Sequence, residues 1–269
     1  MVFCCSPLNE SNSCQENESS FAWETVEQEN DMSLSVSKVL TENYANYYDA
    51  AGLSEWRRLG AIDKSANIVR LCSGFDCEEV LEIGCGDGAI LERLSSTGFS
   101  SRFTGLEISP SGVRAVQEKN IPGTSVELFD GYELRFKDKQ FDLAILSHVL
   151  EHVEYPRRLI QEAARVANRV FVEVPLEDNW RLSADYVFDR VGHINFYNVK
   201  TMRRLLQSCG MEILGAHISH GLLSSYVYRK GKFRGGASYL IKESMLNVWP
   251  KLAAASFTYH YALICSKAA

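Results

Sequence analysis

The sequence predicts an α/β protein: a doubly wound, mostly parallel sheet with helices on both faces. Two observations predict it. Short apolar runs, bounded by Gly, Asp or Pro, alternate with segments of helical period from residue 79 onward. The helical segments are long enough to cross back over a sheet, which implies βαβ units.

The elements follow in order. Residues 1–37 are rich in Ser, Asn, Gln and Glu, with little apolar periodicity. Such a segment buries too little surface to offset its ordering entropy, so a disordered acidic tail is expected. From Lys38 the pattern becomes two or three amphipathic helices, broken near Gly52 and Gly60. EEVLEIGCG is a buried strand ending in glycines, AILERLSST a helix and SRFTGLEI a strand. PSGVRAVQEKN is a helix with Pro110 in its first turn. TSVELFDG and FDLAILS are strands, YPRRLIQEAARVA is a helix and RVFVEVP a further buried strand. NVKTMRRLLQSCG is a helix stopped by Gly210. MEILGAHI and FTYHYALICSK close the chain as strands. The connection between them, 219–256, is long for a compact domain and is read as a lid or acceptor-binding insertion. One domain is therefore expected over 38–269, with a helical cap at 38–78.

Composition narrows the function. No apolar run approaches the ~18–20 residues that span a bilayer, so no membrane association is expected. The eight cysteines are irregularly spaced and read as reduced thiols, which implies a cytoplasmic location. The net charge of −6 is uneven: residues 1–37 hold seven acids and no Lys or Arg, leaving a body of +1. A near-neutral body has no global field to recruit nucleic acid. A monomer or homodimer is expected.

The strongest chemical signal is Glu82-Ile83-Gly84-Cys85-Gly86-Asp87-Gly88, at the end of the first strand. Glycines there let the chain turn sharply and let a ligand approach. The pattern is neither the GxGxxG of dinucleotide sites nor a phosphate loop. Carboxylates at Glu82 and Asp87 would repel a pyrophosphate and suit an amino-bearing ligand. Glu107 ends the second strand, where an acid can accept from both hydroxyls of a ribose. Asp130 follows the third, where a carboxylate can accept from an exocyclic amine, and Ser147-His148-Val149-Leu150-Glu151-His152 follows the fourth. All fall at carboxyl ends of strands, the edge at which open α/β sheets bind ligands.

These motifs, with FDLAILSHVLEHVEYP, GHINFY and LLQSCGMEIL, resemble class I S-adenosylmethionine-dependent methyltransferases, closest to the small-molecule, ubiquinone-type branch. The resemblance covers roughly Val80 to Gly210. It implies a seven-stranded Rossmann-like sheet with one antiparallel strand, fitting a last strand near 257–266. It implies S-adenosyl-L-methionine as cofactor, held by Glu82, Gly84, Cys85, Gly86, Asp87, Gly88, Glu107, Ile108, Asp130, Gly131 and Ser147. The activity implied is methyl transfer to an O, N or S atom of a small-molecule acceptor.

Candidate bases are His152, His148 and His193, because imidazole titrates near working pH. An already nucleophilic acceptor needs none. Tyr44, Tyr48, Tyr197 and Arg229 are candidate acceptor contacts, although the helical spacing of Tyr44, Tyr47, Tyr48 and Trp56 also suits core packing. Ubiquinone-type relatives carry an acid where this chain has His148, and can bind divalent metal there. Here His148, Glu151 and His152 share one turn and read as a hydrogen-bonded wall, so no metal is expected. Two other readings stand: a methyltransferase acting on RNA or protein, supported by the basic–aromatic run Tyr228–Gly236, and a noncatalytic cofactor-binding scaffold.

Overall fold

The computed structural model describes residues 35–36, 38–49, 54–183, 185 and 192–268. The acidic tail to residue 34 and the expected break near Gly52 lie outside the described residues. Helix α1 (Lys38–Tyr44) and a 3-10 turn (Tyr47–Asp49) precede α2 (Ser54–Cys72). There follow β1 (Glu79–Ile83), α3 (Ala89–Ser96), β2 (Arg102–Glu107), α4 (Pro110–Lys119), β3 (Thr124–Leu128) and β4 (Phe141–Ser147). The second half runs α5 (Pro156–Val166), β5 (Ala167–Pro175), α6 (Val199–Ser208), β6 (Met211–Ser219), α7 (Leu223–Lys230), α8 (Lys232–Val248), α9 (Pro250–Ser256) and β7 (His260–Lys267). No described helix is long and apolar enough to cross a membrane.

The seven strands form one sheet in the order β3-β2-β1-β4-β5-β7-β6. All pairs are parallel except those of β7, which runs antiparallel to both β5 and β6. The reversal of strand order lies between β1 and β4, so a crevice opens beyond their carboxyl ends. Strand alternation separates two cores. Leu81, Ala144, Leu146, Val170 and Val172 face a layer with Leu159 and Ile160 of α5 and Met202 and Leu206 of α6. Val80, Leu143, Ile145 and Phe171 face the other layer, with Ile68 of α2, Leu91 of α3 and Val116 of α4. Burial on both faces is why these strands read as near-continuous apolar runs.

Local signals fix the helix ends. Ser109 caps α4 through Gly112 N, with Pro110 in the first turn and Asn120 left-handed at the end. Asn198 and Thr201 form a reciprocal capping box at the start of α6.

Two expectations change. Gly60 does not break a helix: α2 runs through it, because a Cβ there would meet nothing within 4 Å and the neighbouring residues are good helix formers. Val36, placed on the tail side of the expected boundary, is buried; its N–H donates to Asp130 O at 3.0 Å and its side chain covers Gly131. The 219–256 connection is built of three helices. Gly235 lets α8 cross α7 closely, since a Cβ there would lie 2.6 Å from Tyr226 O.

Candidate active site

The site begins where β1 hands over to α3. Gly84, Gly86 and Gly88 all take left-handed φ, at 74°, 58° and 73°. That backbone lets Gly84 and Cys85 N–H donate to Leu106 O of β2, at 2.7 and 3.0 Å. Glu107, at the end of β2, reaches back under the loop. Its Oε2 accepts from Gly86 N at 2.7 Å and its Oε1 from Ser109 N at 2.9 Å. Burial raises the Glu107 pKa, and these backbone donors oppose the rise.

A cavity of about 920 Å³ runs from this loop to the insertion α7–α9. At its loop end two buried polar atoms have no partner: Glu82 Oε2 and Arg57 Nη1. Arg57 is held through Nε by Asp87 Oδ2 at 2.7 Å. A side recess of about 100 Å³ is lined by Glu107, Ile108, Phe129, Gly131, Val149 and Leu159, among others. Tyr44 and Tyr48 border both spaces. The recess is mostly apolar with one carboxylate at its edge, a suitable form for a flat heterocycle next to a polyol.

Burial pushes the Glu82 pKa up to about 8, far above the usual carboxyl value of 4.5. The folded carboxyl therefore keeps its proton across a range where the unfolded one releases it. The wild-type chain should lose stability, relative to Glu82→Gln, as pH rises from 4.5 to 8, by on the order of 4 kcal/mol. Urea melts of both proteins at stepped pH check this; parallel pH curves would show that Glu82 is not held protonated.

The histidines lie at the carboxyl ends of β4 and β5. His148 has φ 58°. Its Nδ1 lies 3.1 Å from Glu151 Oε1 and its Nε2 3.4 Å from Glu173 Oε1, ion-pair distances without hydrogen-bond alignment. Burial alone would lower its pKa, but the two carboxylates raise it. His152 Nδ1 is 3.2 Å from Gly192 O, and its ring meets the edges of His193 at 4.7 Å and Tyr44 at 6.0 Å. A carbonyl can only accept, so His152 Nδ1 carries the hydrogen and Nε2 the lone pair. Burial lowers the His152 pKa, with Glu151 opposing. His193 Nδ1 pairs with Glu177 Oε2 at 2.6 Å. Among the described residues, His148–Glu173–His260 and Glu151–His152–His193 each bring ligating atoms within 4.8 Å of one another. The one-turn set His148, Glu151, His152 is thus split between two clusters.

The sequence matches the family described as a methyltransferase domain over residues 46–215. The chain belongs to the methyltransferase-domain family. It is 29% identical over 173 residues to a fatty-acid O-methyltransferase of Mycolicibacterium smegmatis, covering 58% of this chain and 61% of the relative. It is 28% identical over 91 residues to a mitochondrial ubiquinone biosynthesis O-methyltransferase of Candida albicans, covering 32% and 28%. The chain spans 33% to 61% of the length of the first curated relatives it matches. Its fold is that of class I S-adenosylmethionine-dependent methyltransferases. A phosphoethanolamine N-methyltransferase of Haemonchus contortus, solved with S-adenosyl-L-methionine, superposes with TM-score 0.56 at 13% identity, over 85% of this chain and 57% of that one. The [4+2]-cyclase SpnF superposes with TM-score 0.55 at 17% identity, over 77% and 81%.

Within this methyltransferase domain the structure gathers Glu82, Gly84, Cys85, Gly86, Asp87, Ser147, His148, His152, His193, Tyr44, Tyr48 and Arg229 around the main cavity. Glu107, Ile108 and Gly131 border the side recess. Other expected residues fall elsewhere. Tyr197 is no acceptor contact: it is buried, and its hydroxyl donates to Leu150 O at 3.1 Å, bracing the turn that carries Glu151. Gly88 borders neither space; a Cβ there would lie 2.9 Å from Val116 Cγ2, so it serves the packing of α3 on α4. The Cys85 thiol turns under the loop against Gly105. Asp87 holds Arg57 rather than standing open for an amino group. Asp130 borders neither space, and its Oδ1 accepts from Tyr132 and Glu133 N–H in a local turn. His148 lies between two carboxylates that raise its pKa.

Several lining residues carried no sequence signal. Arg57, Gly60, Ala61 and Lys64 of α2 line the cavity at helical spacing. Glu173 and His260, from neighbouring antiparallel strands, complete the His148 cluster. Glu177 could have been suspected from its place just after the buried strand RVFVEVP.

Proposed function

We propose that the chain transfers a methyl group from S-adenosyl-L-methionine to an O, N or S atom of a small-molecule acceptor. One observation carries the reading. A buried acceptor, Glu82 Oε2, and a buried donor, Arg57 Nη1, each lack a partner beside the glycine loop. Once Glu82 releases its proton to pair with a bound cation, the two complement the ammonium and carboxylate of an amino acid, the groups at one end of that cofactor. The other groups fit as well: Glu107 suits the ribose hydroxyls, and Ile108, Phe129 and Val149 suit the adenine.

When bound, the cofactor supplies an electrophilic methyl group on a sulfonium. The protein's part is alignment, exclusion of water and, for an OH or NH acceptor, removal of a proton. Tyr44 and Tyr48 wall the cavity where it meets the recess. Their burial pushes both phenols well above their usual pKa, so they stay neutral and serve as donors and packing surface. His152, neutral at pH 7 with Nε2 carrying the lone pair, is the group suited to take a proton. Arg229 and Lys230 of the basic run line the cavity, whereas Lys232 and Arg234 do not, although all four are exposed. That division supports a small acceptor over a polyanion, which would need a continuous surface stripe.

Glu107→Ala should weaken S-adenosylhomocysteine binding by about 1.5–3 kcal/mol, the scale for hydrogen bonds to a charged group. Isothermal calorimetry reads this, with circular dichroism as the check on folding. Incubation with labelled cofactor and fractionated small-molecule extract, followed by mass identification, then finds the acceptor. Unchanged affinity in the folded variant, or binding without label transfer to any fraction, would overturn the reading.

A further inference from the structure

The cavity carries a group of cations besides Arg57 and Lys64. Arg181, Arg229, Lys230 and Lys242 all line it. Among the described residues none of the four pairs with a carboxylate. The nearby acid Glu243 is taken: it holds His220 Nε2 at 2.8 Å and Asn247 Nδ2 at 3.1 Å. Asp63 is taken as well, accepting from Leu222 N at 2.9 Å.

Three of the four cations are set on aromatic rings. Arg181 lies over Phe257 at 4.4 Å, and Lys242 Nζ lies 6.0 Å from that same ring. Lys242 Nζ also stands 5.5 Å from Tyr226 and 5.3 Å from Tyr259, and donates to Thr258 O at 2.7 Å. Arg229 lies over Trp56 at 5.2 Å, and Lys230 Nζ meets Ser238 Oγ at 3.1 Å. Rings and carbonyls orient such groups without neutralising them. Four like charges facing one open cavity repel one another and concentrate a positive potential there, with Lys242 the most buried of them.

We propose that the methyl acceptor carries an oxyanionic group, a carboxylate or a phosphate, on an apolar body, and that Arg181, Arg229, Lys230 and Lys242 hold that group. The proposal rests on the small-molecule methyl-transfer reading above. Trp56, Tyr226 and Phe257 provide the apolar wall for the body of the acceptor. Lys242 bears the mark of a missing counter-charge: burial first, then Lys230, Arg229 and Arg181, push its pKa down to about 8. An anion seated there would relieve that repulsion, which a merely solvated basic surface does not need.

The test uses the full chain saturated with S-adenosylhomocysteine and three probes: phenyl phosphate, 3-phenylpropanoate and neutral benzyl alcohol. Calorimetric affinity should favour at least one oxyanion over the alcohol by about tenfold or more, and the preference should shrink as NaCl is raised. The better oxyanion tells a phosphate-bearing acceptor from a carboxylate-bearing one. Arg181→Gln/Lys242→Gln should lose the preference while keeping S-adenosylhomocysteine affinity; Lys232→Gln/Arg234→Gln, exposed and off the cavity, should keep both. Arg181→Gln alone, at an exposed position, gives the same readout with less risk to the fold. Equal affinity for all three probes, or a preference that survives in both cavity variants, would overturn the proposal and leave the cofactor reading standing. Failure of the wild type to bind S-adenosylhomocysteine would overturn both.

Discussion

Gly86→Val should abolish S-adenosylhomocysteine binding, at least a hundredfold in Kd (about 2.7 kcal/mol), while leaving the sheet folded. Two effects act together. Gly86 sits at φ 58°, a region that β-branched residues rarely enter, at a cost of about 1–3 kcal/mol. A Cβ there would also lie 3.0 Å from the Tyr48 hydroxyl and 3.3 Å from its ring, so the cap that borders both cavity and recess must move. The backbone N–H that holds Glu107 Oε2 moves with it, displacing the carboxylate suited to the ribose. The loop lies beyond the end of β1, so strand pairing with β2 and β4 should survive. Calorimetry on a variant with native circular dichroism checks the outcome. Ordinary affinity in such a variant would place the cofactor elsewhere.

The sheet and the loop were legible because they are local. A run such as VLEIGCGDG reports its own burial, its own end and its own turn, and the two-sided burial of β1, β4 and β5 shows as continuous apolar sequence. Acids at strand ends were legible for the same reason, although spacing alone could not tell an open carboxylate from an occupied one. Glu82 is open, Asp87 is taken by Arg57, and Asp130 turns back on its own backbone. What escaped was the polar side of α2. It buries Asp63, Ser65 and Asn67 beside Ile68 and Cys72, so its apolar periodicity is weak and its inward residues look solvent-facing. Asn67 donates to Glu173 Oε2 at 2.7 Å across 106 residues, a contact no local pattern encodes. Tyr197 misled in the opposite sense. A polar–aromatic loop suggests a ligand, but here the ring fills the core and its hydroxyl satisfies a buried carbonyl.

The catalytic step should depend on His152 if the acceptor is a hydroxyl or an amine. His152→Asn is expected to lower kcat by about 10²–10⁴, the usual range for a lost general base. S-adenosylhomocysteine affinity should fall far less than kcat, because the ring borders the recess as well as the main cavity but makes no hydrogen bond to the glycine loop. The physical ground is the tautomer. Gly192 O fixes the hydrogen on Nδ1, and burial holds the ring neutral by lowering its pKa below the ordinary 6.5. The sign in pH follows: a base with a lowered pKa stays competent on the acid side of neutrality. The acid limb of kcat/KM should therefore fall below pH 6.5, and this limb should vanish in His152→Asn. His193, paired with Glu177 and 4.7 Å away ring to ring, is the competing base. His193→Asn distinguishes them, since it removes a neighbour that lowers the His152 pKa and should shift the limb upward without erasing it. A wild-type kcat and an unchanged acid limb in His152→Asn would mean that the acceptor atom arrives already nucleophilic, and that this cavity supplies alignment alone.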